Sequence, residues 1–183
     1  MHKTCLTKMH EKGNFISMDI FNALKTGKRI ETITDLVARL ISMEKMMGTA
    51  ESCTGGLVSS LLTSIPGSSQ WFKGGIVAYS NEIKESILRV DPCILDKYGA
   101  VSEETAQAMA TGARAALDVD CTLAVTGIAG PGGATAEKAV GTVCFAWDVN
   151  GEVTSCTRLF PGPRNSVRIE SAWEALSGLL ERL

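Results

Sequence analysis

The chain has 183 residues, 45% hydrophobic and 21% charged, a length and balance that predict one globular domain needing no disulfide or metal to fold. Its net charge of −2, without a basic block, argues against nucleic-acid binding, and no apolar run approaches the roughly 20 residues of a membrane span. Because no apolar segment of signal-peptide length follows Met1, we expect a cytoplasmic protein.

Cysteine and histidine restrict the possible chemistry. The cysteines, at positions 5, 53, 93, 121, 144 and 156, lack metal-site spacing, which predicts reduced thiols and no zinc or other metal site. Both histidines, His2 and His10, lie in a poorly patterned start. We therefore expect an extension of unknown role over residues 1–31 and the domain over residues 32–183. If the extension lies outside the fold, a Ser-His-Asp triad is excluded, and any general base is Lys, Tyr, Asp or Glu.

Apolar periodicity and turn residues predict alternating helices and strands, followed by a hairpin. In chain order we expect a helix over 33–41 capped by Thr32 or Asp35, a strand over 46–50, a helix over 57–65, a strand over 76–79, a helix over 82–89 capped by Asn81, and a helix capped by Ser102. The buried face of the first helix is expected to contain Ile33, Leu36, Val37, Leu40 and Ile41, and that of the Ser102 helix Ala106, Met109, Ala110, Ala113 and Leu117. A strand over 121–125, a hairpin of 140–149 and 153–160 turning at Asn150-Gly151, and a helix over 167–183 follow. This order predicts an α/β fold, a three-layer α/β/α domain with a mixed sheet.

The segment Thr49–Gly56, with the sequence TAESCTGG, joins a predicted strand to a predicted helix. Such turns lie at the carboxyl edge of a parallel sheet, where ligands bind, and free N–H groups at a helix start attract anions. Two glycines let a ligand approach the backbone closely. The pattern is also typical of a plain helix cap with a tight turn, so spacing alone leaves both interpretations open.

Three further segments carry candidate residues. Tyr79 and Lys84 flank a second strand-to-helix turn, where a lysine in the first helical turn gains nothing from the helix dipole. Thr126–Gly133 is a glycine-rich loop directly after a buried strand. Arg164 and Arg168, four residues apart, suit a phosphate or carboxylate. Each feature has an ordinary structural interpretation, as a solvated side chain or a connecting loop.

Together these segments resemble the CinA carboxy-terminal domain family, in order and without a large gap over about residues 32–183. The resemblance rests on Thr49–Gly56, the stretch from Gly74 to Asn81 with Lys84, Gly99–Ser102, Val125–Gly133, Glu137-Lys138, Gly141–Val143, and Phe160–Gly162 with Arg164 and Arg168. Its characterised members are nicotinamide-nucleotide amidases, and the larger amino-terminal domain of two-domain relatives has no counterpart in this sequence.

The resemblance implies hydrolysis of nicotinamide mononucleotide to nicotinate mononucleotide and ammonia. It implies Ser52 as nucleophile and Lys84 as base with Tyr79 nearby, which agrees with the absence of histidine from the domain. It also implies a small-molecule nucleotide substrate, no cofactor, no nucleic-acid or membrane partner, and a homo-oligomer, expected to be a dimer. The expected substrate-binding residues are Thr49, Glu51, Cys53, Thr54, Gly55, Gly56, Asn81, Thr126, Gly127, Gly130, Arg164 and Arg168.

The sequence departs from the family pattern at Ala139 and Pro163, where we expect proline and aspartate. Pro163 directly precedes Arg164, so this departure concerns the recognition of phosphate. Two other hypotheses stay open: a catalytically silent nucleotide-binding module of the same fold, and a thiol amidase with Cys53 as nucleophile. Glu51 is a poorer candidate base than Lys84, because neighbouring residues on a strand point to opposite faces.

Overall fold

A five-stranded mixed sheet organises the fold in the computed structural model, which describes residues 27–183. The strands are β1 (Met47–Glu51), β2 (Phe72–Val77), β3 (Cys121–Gly127), β4 (Thr142–Val149) and β5 (Glu152–Leu159). Their order in the sheet is β2-β1-β3-β4-β5. β1 pairs in parallel with both β2 and β3, whereas β4 is antiparallel to β3 and to β5. The sheet is therefore mixed, as the sequence predicts.

Six α-helices accompany this sheet within residues 27–183. They are α1 (Gly27–Ser42), α2 (Leu57–Thr63), α3 (Asn81–Ser86), α4 (Pro92–Tyr98), α5 (Glu103–Leu117) and α6 (Arg164–Leu180). α2 and α6 pack on one face, with α1 lying against α6, and α5 packs on the other face with α4 beside it. This arrangement confirms the predicted α/β class with helices on both sides of the sheet.

Each face of the sheet has its own hydrophobic core. The core under α2 and α6 contains the large side chains Trp71, Phe145 and Trp147, all almost fully buried. The core under α5 is built from smaller residues, among them Ala50, Ala124 and Ala146, with Met109 and Leu88. Small residues on the second face allow α5 to approach the strands closely.

Several local predictions are confirmed. Ser102 caps α5 by accepting a hydrogen bond from the Thr105 N–H group, and Ala106, Met109, Ala110 and Ala113 form the buried face of α5. The hairpin turns at Asn150 and Gly151, whose φ angles of 54° and 94° are those of a type I′ turn.

Other local predictions are wrong, each for a local reason. α1 begins at Gly27, so Thr32 and Asp35 lie inside the helix and do not cap it. Ile41 is 48% exposed, because the apolar stripe that is buried runs through Leu36 and Leu40. Ser80, rather than Asn81, caps α3 with its hydroxyl, and α3 ends at Ser86. The sequence reasoning also missed α4, which is short and begins at Pro92 behind an Asp91 cap.

Residues 1–26 of the predicted extension lie outside the described residues. Residues 27–31, which the sequence also assigned to the extension, belong to α1. His2 and His10 also lie outside the described residues. Within residues 27–183, no helix combines the length and hydropathy needed to cross a bilayer.

Candidate functional site

The carboxyl ends of β2, β1 and β3 lie side by side at one edge of the sheet, because the three strands are parallel neighbours. Glu51, the last residue of β1, pairs in register with Val77 of β2 and Val125 of β3. The segments that follow these three strands therefore meet at this edge. Two of the turns that the sequence singles out, at Ser52 and at Tyr79–Lys84, come together here with the loop after β3.

Lys84 is the most unusual residue at this edge, because its side chain is 1% exposed. Its Nζ lies 3.0 Å from the carbonyl oxygen of Ala78, 3.3 Å from that of Tyr79, and 3.4 Å from Oγ of Ser52. Ser80 caps α3, and Lys84 lies in the last turn of this short helix, not in the first turn that the sequence predicts, with its side chain buried at the sheet edge. The amine is therefore held by two carbonyls against the serine hydroxyl.

No carboxylate balances this amine: within residues 27–183, Lys84 forms no ion pair. Burial disfavours the charged form and lowers the pKa of Lys84 below its ordinary value of 10.5, while Cys53 acts weakly in the opposite direction. A buried lysine that is paired only with neutral oxygens has reduced proton affinity. Such a lysine can act as a base.

The turn that carries Ser52 runs from Ser52 to Gly56 and needs both of its glycines. Gly55 and Gly56 have φ angles of 61° and 89°, in the left-handed region that favours glycine. In the described part of the chain, the N–H groups of Cys53, Thr54 and Gly56 donate to no backbone carbonyl. Because Cys53 and Thr54 directly follow Ser52 in the chain, their N–H groups are candidate donors to a negatively charged oxygen formed there.

Cys53 follows Ser52 but has different surroundings. Its side chain is 6% exposed and belongs to the hydrophobic core under α2 and α6. Burial raises the pKa of the Cys53 thiol to about 12, so the thiolate required for nucleophilic attack is strongly disfavoured. This environment argues against Cys53 as the nucleophile.

A cavity of about 200 Å³ opens above Ser52 and Lys84. Of the predicted site residues, it brings together Ser52, Cys53, Tyr79, Asn81, Lys84, Thr126, Gly127 and Arg164. Ala100, Val101 and Ala129 complete its wall; the sequence reasoning did not select them as site residues, although Ala100 and Val101 lie within the recognised Gly99–Ser102 segment. Apolar side chains offer no chemical signal in a sequence, so only their position identifies them.

Tyr79 and Arg164 form the outer rim of the cavity. The Tyr79 side chain is 60% exposed, and its hydroxyl accepts a hydrogen bond of 3.2 Å from Nη2 of Arg164. Nη1 of Arg164 donates to the carbonyl oxygen of Gly130 at 2.8 Å, which ties the glycine-rich loop to α6. It is the backbone carbonyl of Tyr79, and not the phenol, that contacts Lys84.

Arg168 lies one helical turn further along α6 and faces a different partner. Its Nη2 donates to the carbonyl oxygen of Thr54 at 2.7 Å, so it holds the turn after Ser52 and does not line the cavity. The hydroxyl of Thr54 is buried and has no hydrogen-bond partner in the described part of the chain. The two arginines therefore differ in role: Arg164 is at the rim and Arg168 is behind the turn.

The remaining predicted residues contribute from outside the cavity. Thr49 and Glu51 are fully buried on the α2 side of the sheet, and Gly55 and Gly56 shape the turn. Thr126 is at the cavity wall, but its hydroxyl donates to the carbonyl oxygen of Ala100, so it fixes the wall instead of facing the cavity freely. Gly130 takes part through its carbonyl alone.

A larger groove of about 980 Å³ lies along α5 and the segment from Ile87 to Tyr98. Its floor is built largely from small residues of α5, such as Ala108, Thr111 and Ala115. It contains no buried nucleophile and no buried amine. The chemistry of the smaller cavity, rather than its volume, therefore identifies the candidate active site.

Comparison with known proteins identifies the family to which this chain belongs. A family model described as the CinA C-terminal domain matches residues 30–183. A protein named CinA-like protein from Mycolicibacterium paratuberculosis is 50% identical over 162 residues, which are 86% of this chain and 36% of that protein. A CinA-like protein from Mycobacterium tuberculosis is 47% identical over 146 residues. This chain thus spans about a third of the length of these curated relatives.

Solved structures agree with the fold. A competence or damage-inducible protein from Enterobacter asburiae superposes with a TM-score of 0.81 at 37% identity, covering 83% of this chain and 96% of that one. A competence/damage-inducible protein from Agrobacterium tumefaciens is 41% identical, with a TM-score of 0.76, covering 82% and 94%.

The buried amine makes the stability of the fold depend on pH in a defined direction. Because the pKa of Lys84 is lowered in the folded state, the unfolded chain binds one more proton between that lowered pKa and 10.5. The free energy of unfolding should therefore rise with pH across this window. Lys84→Met should lose that rise, as measured by urea unfolding at intervals from neutral pH to 10.5.

The change of the unfolding free energy with pH is the quantity to compare, rather than its absolute value. Methionine also leaves the carbonyls of Ala78 and Tyr79 without this donor, which lowers stability at every pH. Lys73→Met, at an exposed lysine, is the matched control and should keep the wild-type slope. Identical slopes for wild type and Lys84→Met would show that Lys84 does not titrate abnormally.

Proposed function

Because this chain belongs to the CinA C-terminal domain family, we propose that it is an amidohydrolase that converts nicotinamide mononucleotide to nicotinate mononucleotide and ammonia. The observation that carries this proposal is the contact of 3.4 Å between Nζ of Lys84 and Oγ of Ser52. This contact brings a potential nucleophile and a potential base together in a buried site, in a domain that contains no histidine.

Lys84 suits the role of base in its neutral form. A neutral amine has two N–H groups and one lone pair. The carbonyls of Ala78 and Tyr79 can accept the two N–H groups, which leaves the lone pair for the Ser52 hydroxyl proton. A protonated amine would direct a third N–H toward Ser52 and could not take its proton. Desolvation, by lowering the pKa of Lys84, favours the productive state.

In the first half of the reaction, Oγ of Ser52 forms a bond to the carboxamide carbon while its proton passes to Nζ of Lys84. The carbonyl oxygen of the substrate becomes negatively charged, and the N–H groups of Cys53, Thr54 and Gly56, which donate to no backbone carbonyl in the described part of the chain, are the candidate donors for it. The carbon–nitrogen bond then breaks. The leaving nitrogen takes the proton from Lys84 and departs as ammonia.

In the second half, water attacks the acyl-serine ester and gives its proton to Lys84. Collapse of this intermediate breaks the bond to Oγ, and Lys84 returns the proton to Ser52. The product is the carboxylate, and the enzyme is regenerated without any external oxidant or reductant. A Ser-Lys pair performing this cycle is a recognised variant of triad catalysis.

The size of the cavity fits a substrate with a small reacting end. About 200 Å³ is below the range of about 300–1,000 Å³ typical of sites that enclose a whole drug-sized ligand. We propose that the planar carboxamide end enters the cavity and that the ribose phosphate lies outside, toward the rim. Arg164 is exposed there and carries the positive charge that a phosphate requires.

The reaction is tested by ammonia release from nicotinamide mononucleotide. Ser52→Ala should lower kcat by about 10³-fold or more, because it removes the nucleophile. Cys53→Ala should keep most of the activity, since the thiol is buried and its pKa is raised. The reverse pattern would make Cys53 the nucleophile. No ammonia release by a folded wild-type protein would favour the silent nucleotide-binding module instead.

The phosphate assignment is tested by comparing the nucleotide with its uncharged riboside. Arg164→Ala should weaken nucleotide binding by about 10- to 100-fold and riboside binding much less, since a hydrogen bond to a charged group contributes about 1.5–3 kcal/mol. Arg168→Ala, which alters the turn through Thr54, should affect both ligands equally. Equal losses for both ligands in Arg164→Ala would refute its role at the phosphate.

A further inference from the structure

A buried carboxylate lies directly before the proposed nucleophile, on the opposite side of the sheet from Lys84. Glu51 is 0% exposed and forms no ion pair in the described part of the chain. Its Oε2 accepts from the N–H group of Val58 at 3.0 Å, and its Oε1 accepts from the N–H group of Ser59 at 2.8 Å. The Ser59 hydroxyl also donates to Oε1 at 2.7 Å. Both oxygens are thus occupied by donors from the first turn of α2.

This arrangement replaces the ordinary helix cap. The residue at the cap position of α2 is Gly56, which has no side chain to accept the free N–H groups. A serine or aspartate cap is disfavoured there, because the φ angle of 89° at Gly56 lies in the left-handed region that favours glycine. Glu51 instead reaches across the whole turn and links the end of β1 to the start of α2. Glu51 therefore does two things at once: it accepts the N–H groups at the start of α2, and it closes the loop that carries Ser52.

A third hydroxyl and a glycine complete the cluster. Because Ser59 donates its proton to Glu51, the contact of 2.8 Å between Oγ1 of Thr49 and Oγ of Ser59 has Thr49 as its donor. A Cβ atom on Gly75 of the neighbouring strand would lie 2.2 Å from Oγ of Ser59 and 2.4 Å from Oγ1 of Thr49. Only glycine at position 75 leaves room for this chain of hydrogen bonds.

The cluster is linked to Ser52 directly through the backbone. Ser52 is the next residue after Glu51, and its N–H group donates to the carbonyl oxygen of Val125 at 2.9 Å. The turn is therefore fixed at its start by β3 and at its end by Glu51 through α2. Between these two points, the position of Oγ of Ser52 relative to Nζ of Lys84 follows from the geometry of the closed loop.

We propose that Glu51 is a positioning residue for catalysis: with Thr49, Ser59 and Gly75 it closes the Ser52 turn and holds the serine hydroxyl against Lys84. This inference rests on the proposed role of Ser52 as nucleophile. It assigns to Glu51 neither a proton-transfer step nor a contact with substrate. A small displacement of a reacting atom is enough to lower a rate by about 100-fold.

The experiment measures how fast a fluorophosphonate reagent labels Ser52, detected by mass spectrometry of the full chain, together with kcat and KM for ammonia release. Glu51→Gln keeps the shape of the side chain but turns an amide N–H group toward helix donors. It should lower the labelling rate and kcat by about 10- to 100-fold while KM stays within about twofold. A labelling rate within twofold of wild type in folded Glu51→Gln would overturn the inference.

A glycine pair provides matched variants. Gly75→Ala should slow labelling, because its Cβ atom displaces Ser59 and Thr49. Gly74→Ala, whose Cβ atom would meet only the flexible Leu117 side chain at 3.8 Å, should label at the wild-type rate. If Glu51→Gln does not fold, Ser59→Ala removes one hydrogen bond and should slow labelling about three- to tenfold. Equal rates for Ser59→Ala and Gly74→Ala would then overturn the inference.

The two readouts separate this inference from the substrate proposal. If wild-type Ser52 is labelled but nicotinamide mononucleotide releases no ammonia, the substrate proposal fails. The labelling rates of the variants still decide the role of Glu51 in that case.

Discussion

The contact between a buried, unpaired lysine and a serine hydroxyl is the feature on which the rest of this site depends. Burying an amine is costly unless its neutral form is favoured, and within residues 27–183 the hydrogen-bond partners of Lys84 are carbonyl and hydroxyl oxygens. The fold maintains this environment through three parallel strands that end together, a serine cap on α3, and an α5 face of small residues.

The sheet also keeps the carboxylate of Glu51 away from the amine of Lys84. Glu51 and Ser52 are adjacent, but Glu51 faces α2 while Ser52 faces Lys84. A carboxylate on the Lys84 side would favour the protonated amine and raise its pKa, which would abolish its use as a base. On the α2 side, the same carboxylate meets three donors and stabilises the turn. Because Glu51 ends β1 and Ser52 follows it on the other side of the sheet, the carboxylate can stabilise the turn without raising the pKa of Lys84.

The sequence identifies the strand-to-helix turns at Ser52 and Lys84, because parallel neighbouring strands must end at one edge. The roles of individual side chains depend on how the helices pack, which residue spacing in the sequence does not determine. Arg164 and Arg168 are equivalent in the sequence, but the angle of α6 sends one to the rim and the other to Thr54. Tyr79 contributes a carbonyl to Lys84 and turns its phenol toward Arg164. Ser59 is not recognisable as part of the site until Glu51 is seen to reach α2.

The most direct measurement of the central claim is the rate of ammonia release by Lys84→Arg beside that of Lys84→Ala. Arginine keeps a positive charge at the same place but does not give up its proton at accessible pH. If neutral Lys84 is the base, both variants should lose activity by a similar factor, about 10²- to 10⁴-fold, with Ser52 intact. If folded Lys84→Arg stays within about tenfold of wild type, Lys84 acts by its charge, and the assignment of the base to Lys84 is wrong.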